Sequence, residues 1–444
     1  MELFRGKKIT VMGLGLLGRG VGDVKFLAES GAELIVTDLK SASELLPSLS
    51  QLKDFPAIKY VLGEHRLEDF RDCDFILKAA KVPLDSPYIK EAESNGIPVE
   101  MSASLFAKLT PAMIIGVTGT RGKSTTTQLI YETLSSESSG GSSRRIFLGG
   151  NVRGVATLPM LPETRPGDIA VLELDSWQLQ GFGASQISPH IAIFTTFFPD
   201  HQDYYGGSMD DYLDDKANIF RYQKKDDILI VSSQAVPYIK KFSGIESRII
   251  VPEPMPSSWR LAIPGEHNRL NAALAVESAR QIGVDEKTIR RVVLGFSGIA
   301  GRLERIDEKD GVVFYNDTTA TTPEATLAGI SAFGEHKGLV LIMGGSDKML
   351  DMSGLIEAIP KYCKGVVLLP GGGTERIKPE LLKLKNEGLS LEFARTMDEA
   401  VKLASGMAKA GDIVLLSPGF ASFGLFTNEF NRGAEFVKSV EDLP

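Results

Sequence analysis

A chain of 444 residues, 43% hydrophobic and 24% charged, is long enough for two or three domains, each with its own core. A net charge of −8 argues against nucleic acid as the main partner, and no stretch approaches the roughly 18 apolar residues of a membrane span. The N-terminus lacks a signal-peptide pattern and Cys73 lies far from Cys363, so a cytoplasmic enzyme with two buried free thiols is expected rather than a disulfide framework or metal knuckle.

The first block, to about residue 110, alternates strands and helices. Lys8-Ile-Thr-Val-Met12 reads as a strand, followed by the turn Gly13-Leu-Gly-Leu-Leu-Gly18 and a helix to residue 28. Residues 34–37 form a second strand ending at Asp38, and residues 75–77 a third. Such alternation predicts a parallel sheet covered by helices. Gly13, Gly15 and Gly18, with Asp38 about twenty residues on, match a dinucleotide fingerprint. The same turn suits any nucleotide diphosphate, and nothing downstream reads as a hydride-transfer site. Thr110-Pro111 marks a boundary.

The second block opens with Gly116-Val-Thr-Gly-Thr-Arg-Gly-Lys-Ser-Thr-Thr-Thr127, between an apolar strand and a helical pattern. Glycines let a backbone wrap phosphate oxygens, and a helix start adds partial positive charge. Lys123 would reach the terminal phosphates and Ser124 would ligate Mg²⁺. The glycines stand at 116, 119 and 122, which is not the standard phosphate-loop spacing. Further strands are expected at residues 146–148, 170–174, 191–194 and 228–231, with an exposed Ser/Gly-rich loop at 135–143. Val251-Pro-Glu-Pro-Met-Pro256 interrupts the pattern, and Gly265-Glu-His-Asn268 opens a helix to about residue 282. A third βαβ series after Gly298-Ile-Ala-Gly-Arg302 has strands at 312–315, 339–342, 366–369 and 413–417.

Several side chains fall where open α/β sheets bind ligands, at the carboxyl ends of strands. Glu173 is placed to hold Mg²⁺, or is a solvated strand-end charge. His201 stands at another strand end with Asp200 and Asp203 nearby; a lone histidine is usually structural, and these acids raise a metal site to equal standing. Lys216 lies in a helical stretch where a plain surface lysine would also fit. Asn268 and Asn271 share a helix face, and capping accounts for the first better than for the second. Arg302 and Asp317 read as either a phosphoryl-stabilising pair or an ordinary ion pair.

In order and spacing, these motifs resemble the Mur ligase family along nearly the whole chain. The carrying residues are Gly119-Thr-Arg-Gly-Lys-Ser-Thr125, Glu173, His201 with Lys216, Gly265-Glu-His-Asn268 with Asn271, Arg302, Asn316-Asp317 with Thr321, and Leu416-Ser-Pro-Gly-Phe-Ala-Ser422. The resemblance implies three consecutive α/β domains: a Rossmann-like UDP-sugar domain (1–110), a central P-loop ATPase (111–298) and a Rossmann-like amino-acid domain (299–444). It implies an ATP-dependent ligase that adds D-glutamate to UDP-N-acetylmuramoyl-L-alanine through an acyl phosphate, with another acceptor or nucleotide-linked substrate as the alternative. A P-loop switch module and a nicotinamide oxidoreductase are the readings from other classes.

By the same resemblance, Gly13, Leu14, Gly15, Leu16, Gly18 and Asp38 would hold the uridine diphosphate. Gly119, Thr120, Arg121, Gly122, Lys123, Ser124, Thr125, Asn271, Arg302 and Asp317 would bind ATP. Ser124 and Glu173 would hold one Mg²⁺, and Glu173, His201 and Lys216 a second. An ammonium cannot ligate a cation, so Lys216 is expected to be carbamylated. Asn151 and Gln178 map beside the muramoyl-peptide substrate, and Thr321, Lys348, Ser422 and Phe430 onto the amino-acid site. No nucleic acid or membrane partner is expected, and the chain is expected to be a monomer. Six departures stand out: Arg121 for asparagine, Asp175 for a small hydroxyl residue, Gly301 for histidine, Thr319 for lysine, Lys78-Ala-Ala-Lys-Val82 for a Ser-Pro-Gly-type turn, and one extra residue between Ser422 and Phe430.

Overall fold

The computed structural model describes residues 3–16, 18–138, 144–152, 154–201, 204–334 and 338–444. The chain divides into two compact units, Met1–Met255 with Leu270–Val293, and Pro256–Arg269 with Leu294–Pro444. Three sheets lie within them, two in the first unit and one in the second.

The first sheet contains β1 (Lys8–Met12), β2 (Glu33–Asp38), β3 (Lys59–Leu62), β4 (Phe75–Lys78) and β5 (Val99–Glu100), all parallel, in the order β3-β2-β1-β4-β5. The second contains β6 (Met113–Thr118), β7 (Ile146–Gly150), β8 (Ile169–Glu173), β9 (Ile191–Phe194), β10 (Ile228–Val231) and β11 (Arg248–Ile250), in the order β11-β10-β9-β6-β8-β7. It is parallel throughout. Its central strands are near-continuous apolar runs because helices cover both faces: every residue of β8 and β9 is buried. The strand order reverses at β1 in the first sheet and at β6 in the second. Ligand crevices form at such points, so Gly13–Gly18 and the 119–125 loop sit where ligands bind.

The third sheet contains β12 (Glu304–Lys309), β13 (Val312–Asn316), β14 (Leu339–Gly344), β15 (Cys363–Leu369), β16 (Ser390–Phe393) and β17 (Ile413–Leu416), in the order β12-β13-β17-β14-β15-β16. It is not purely βαβ as the strand pattern suggested. β12 and β13 form an antiparallel hairpin around Asp310-Gly311, whose φ values of 50° and 76° both lie in the left-handed region.

Two further expectations need correction. The predicted loop at 135–143 begins as helix, because Lys123–Ser138 continues through the serines, and residues 139–143 lie outside the described residues. Strands β3, β5, β11, β12 and β16 were not legible, and every one is the edge of its sheet. Edge strands face solvent on at least one side and carry sequences such as Glu304-Arg-Ile-Asp-Glu-Lys309, without an apolar run to reveal them.

Within the first unit, the helix Arg19–Glu29 packs closely against the second sheet's loops. A Cβ on Gly22 would come within 2.5 Å of the Ala156 Cβ, and Asp23 Oδ1 accepts from the Leu158 amide at 3.3 Å. Burial pushes the Asp23 carboxyl up to about 7, against the opposing pull of the Leu158 amide and the Arg19 charge. A carboxyl raised on folding is stabilising while protonated, and that contribution is lost as pH rises from the unfolded value near 4 to about 7. Asp23→Asn, which keeps the acceptor oxygen, should therefore gain stability over the parent across that window, by up to about 4 kcal/mol. Urea unfolding of both proteins from pH 4 to 8 checks this; a stability difference independent of pH contradicts it.

Candidate functional site

The loop after β6 is held rigidly against the segment after β9. Thr120 donates its amide to Thr196 O (2.7 Å), Arg121 donates its amide to Thr196 Oγ1 (2.9 Å), and Thr195 Oγ1 donates to Arg121 O (2.5 Å). Glycine is required at two points here. Gly119 has φ +139° and an added Cβ would meet Thr195 Oγ1 at 2.1 Å; Gly122 has φ +87° and its Cβ would meet Asn271 Oδ1 at 2.2 Å. With the amides at 120 and 121 engaged, a phosphate would be met by the helix-start amides of Lys123, Ser124 and Thr125, which have no preceding carbonyl turn to bond. Lys123 Nζ folds back onto Gly119 O (2.9 Å) and Thr120 O (3.0 Å), within the loop it serves. Arg121, one of the departures, reaches Asp200 Oδ2 at 3.4 Å.

Around this loop stand the residues proposed for metal. Val117 pairs in register with Glu173 across β6 and β8, which brings the carboxylate beside the loop's origin. Glu173 is buried, and Asn151 Nδ2 donates to its Oε1 at 3.3 Å while the Asn151 amide donates to its carbonyl at 2.7 Å. His201 has φ +52° and its ring lies 4.4 Å from Trp177 and 5.9 Å from Tyr212, centroid to centroid. Burial lowers its pKa, the Asp200 charge opposes this and the Lys216 and Lys123 charges reinforce it, so the imidazole is held neutral, as a ligand must be. Asp203 lies outside the described residues.

Lys216 is not the surface lysine its helix allowed. Only 1% exposed, its Nζ donates to Gly119 O at 3.0 Å and lies 3.5 Å from Thr118 Oγ1. Burial pushes its amine well below the ordinary value and the Lys123 charge adds to this, against Asp175, Asp200 and Asp215. Among the described residues no group of three or more His, Cys, Asp or Glu could hold a metal ion.

Two substrate candidates have structural tasks here. Asp175 caps the helix Ser176–Ala184, accepting from the Gln178 amide at 2.8 Å, while Gln178 Oε1 accepts from the Asp175 amide at 3.2 Å. In the first sheet, Asp38 Oδ2 accepts from the Leu14 and Gly15 amides at 2.9 and 3.1 Å, so it organises the Gly13–Gly18 turn. Leu16 is exposed beside it. Lys78 is buried and donates to Val82 O at 2.9 Å, closing its own turn; burial lowers its amine to about 8, with Asp175 and Asp215 opposing. Lys81 from that turn lies 5.2 Å from the Trp177 ring centroid.

In the second unit, the carboxyl ends of β13, β14 and β17 form a separate cluster. Asp317 accepts from the Leu303 amide (3.2 Å) and from Ser417 Oγ (2.8 Å), and burial pushes its carboxyl up to about 7. Arg302 is exposed next to Leu303, and its charge opposes the upward push on the Asp317 carboxyl. Two departures meet: Thr319 donates to Gly301 O from its amide (3.1 Å) and its Oγ1 (2.9 Å). Lys348 Nζ donates to Thr321 Oγ1 at 2.9 Å, and the adjoining Asp347 is gripped by Arg376 at 2.6 and 2.9 Å. Ser422 is buried, and the Phe430 amide donates to the helix-capping Asn428 at 3.0 Å. Asn268 Nδ2 donates to Pro264 O at 2.7 Å, beside a cavity of about 510 Å³ lined by Leu261, Ile263, Pro264, His267 and Ser331.

Sequence reading missed Arg432. Fully buried, it donates to Thr318 Oγ1 (3.1 Å), Thr318 O (2.9 Å) and Phe420 O (3.1 Å), tying together the segments that carry Thr321 and Ser422. Burial lowers the guanidinium to about 10. Its only sequence signal was an arginine in an apolar helix stripe. Arg432→Ala leaves two carbonyls without these donors and should cost about 2–4 kcal/mol in urea unfolding, with Arg432→Lys in between; unaltered stability would contradict the assignment.

Comparison with known proteins fits this geometry. The MurD-like N-terminal domain of Mur ligases matches residues 7–100, the Mur ligase middle domain residues 117–252, and the Mur ligase glutamate ligase domain residues 301–420. The UDP-N-acetylmuramoylalanine--D-glutamate ligase of Roseiflexus sp. (strain RS-1) is 37% identical, with 99% of each chain covered. Two solved structures share the fold. One is the UDP-N-acetylmuramate-alanine ligase MurC from Thermotoga maritima (TM-score 0.60, 19% identity, 98% of this chain and 99% of that one). The other is the MurF ligase from Thermotoga maritima in complex with ADP (TM-score 0.55, 16% identity, 99% and 96%). With matches to all three of its domains and a full-length relative at this identity, the chain belongs to the Mur ligase family, on its MurD-like branch.

Proposed function

We propose that this chain is an ATP-dependent ligase that adds D-glutamate to UDP-N-acetylmuramoyl-L-alanine in peptidoglycan synthesis. Full-length likeness to relatives bearing that name supports the substrates. One observation carries the chemistry: the phosphate loop, Glu173, His201 and the buried Lys216 amine converge at the carboxyl ends of β6, β8 and β9.

The terminal phosphoryl group of ATP passes to the donor's carboxylate, giving an acyl phosphate. The amino group of D-glutamate then attacks the acyl carbon, an amide bond forms and inorganic phosphate leaves. Lys123 and the helix-start amides offset the charge on the migrating phosphoryl group. Asn271, Arg302 and Asp317 serve the nucleotide. We assign Asn151 and Gln178 to the donor and Thr321, Lys348, Ser422 and Phe430 to the amino acid, the Lys348 amine pairing with its carboxylate; the Lys348–Thr321 hydrogen bond, which joins two of these residues, supports this.

The donor set fits magnesium. Glu173 is a buried carboxylate with a single weak amide bond, Ser124 opens the loop helix, and His201 is held neutral. Mg²⁺, when bound, would draw charge from the phosphoryl oxygens. Ser124 and Glu173 would hold one ion, and Glu173, His201 and Lys216 a second. The second set is one anionic ligand short as it stands, and a carbamate on Lys216 supplies it. Carbon dioxide adds to an uncharged amine and a proton leaves, so the depressed basicity of Lys216 favours the modification.

We assign donor binding to residues 1–110, ATP hydrolysis to 111–298 and acceptor binding to 299–444. The division into compact units draws the second line differently, joining Pro256–Arg269 to the third sheet. We place the enzyme in the cytoplasm, acting on a water-soluble sugar nucleotide; no described helix is long and apolar enough to cross a membrane.

Phosphate release from Mg-ATP, measured with UDP-N-acetylmuramoyl-L-alanine against a panel of D- and L-amino acids, tests this reading. Release should require the sugar nucleotide and be stimulated by D-glutamate. Release indifferent to the sugar nucleotide contradicts the ligase reading, and stimulation by another amino acid alone corrects the acceptor.

A further inference from the structure

The glycine turn after β1 lacks two of the amide donors such a turn normally offers an anion. Leu14 and Gly15 both donate to Asp38 Oδ2, so a carboxylate of the protein already holds them. The next cation along the chain is Arg19, the first residue of the helix Arg19–Glu29, whose cap Gly18 provides no side-chain bond. An arginine there adds positive charge to the positive end of a helix dipole, an arrangement that becomes favourable when an anion arrives.

Among the described residues Arg19 makes no ion pair within 4 Å. Among the described residues, its hydrogen-bond partner is the neutral amide oxygen Asn151 Oδ1, at 2.6 Å from Nη1. The acid one helical turn on, Asp23, has its carboxyl pushed up by burial and is a weak counter-charge. Asn151 in turn donates to Glu173 Oε1, so one polar chain runs from the glycine turn to the carboxylate beside the phosphate loop. Among the described residues the guanidinium's other N–H groups have no hydrogen-bond partner, and their planar fork matches phosphate oxygens.

We propose that Arg19 anchors the donor's diphosphate, with Asn151 holding the guanidinium in the binding orientation. The inference rests on the donor-site reading above. It makes Arg19 a binding residue specific to the phosphates rather than to the nucleoside, and it assigns to a side chain part of a task from which two of the turn's amides are withdrawn by Asp38.

Calorimetric binding of UDP and of uridine to the full-length parent protein, Arg19→Ala and Arg19→Lys separates the possibilities. The parent should bind UDP, and Arg19→Ala should weaken UDP about tenfold or more while leaving uridine unchanged, with Arg19→Lys intermediate. In turnover, the KM for the sugar nucleotide should rise by a similar factor with the KM for D-glutamate unmoved. Unchanged UDP affinity in Arg19→Ala overturns the proposal. Equal weakening of UDP and uridine also overturns it, because Arg19 would then act only by shaping the turn. Failure of the parent to bind UDP overturns the donor-site reading itself, and the proposal with it.

Discussion

A lysine amine sealed behind a phosphate loop sets the terms for the whole middle sheet. Lys216 Nζ bonds the carbonyl of Gly119 at 3.0 Å, in the very loop that would cradle ATP, and lies beside a second amine, Lys123. Two neighbouring ammonium ions in a buried pocket repel one another and lose hydration, so the inner amine is driven toward its neutral form. The loop cannot swing aside to relieve this, because Thr120 and Arg121 are bonded to Thr196. A loop bonded in place and backed by a buried amine of depressed basicity is the observation on which the proposed modification of Lys216 rests. Glu173 and His201 take their places around that centre because β8 and β9 flank β6 on its two sides.

What the chain's order of residues revealed follows from where apolar runs and glycines fall. Central strands buried on both faces announce themselves, and so do the loop at 119–125 and the helix Glu266–Ile282. Five of the six edge strands did not, because they turn polar residues to water; β7, also an edge, was legible from its apolar Ile146-Phe-Leu148. At the sites, residue types pointed to Glu173, His201 and Lys216, but no spacing could show that Lys216 is buried; the fold supplied that. Arg19 and Arg432 were illegible for a related reason. Their partners are 132 and 114 residues away, so no local pattern marks them.

The departures from the family pattern acquire meaning in pairs. Thr319 binds Gly301 by two hydrogen bonds, so the loss of a lysine at one position and a histidine at the other falls within one contact. Lys78 feels the charge of Asp175, so a new cation in the first sheet's turn faces a new anion at the start of a middle-sheet helix. In that arrangement Asp175 caps a helix and offsets Lys78, which accounts for a carboxylate where a small hydroxyl residue is expected. In each pair the two changed residues meet one another, by hydrogen bonds in the first and by charge in the second.

We propose that the Lys216 amine becomes a carbamate that completes the metal site. The direct measurement is ¹³C NMR of the protein supplied with [¹³C]bicarbonate. A carbamate resonance should appear in the parent and vanish in Lys216→Ala, whose lost ligase activity short-chain carboxylic acids should partly restore. A parent without the resonance, or a Lys216→Ala variant that keeps full activity, would contradict the account.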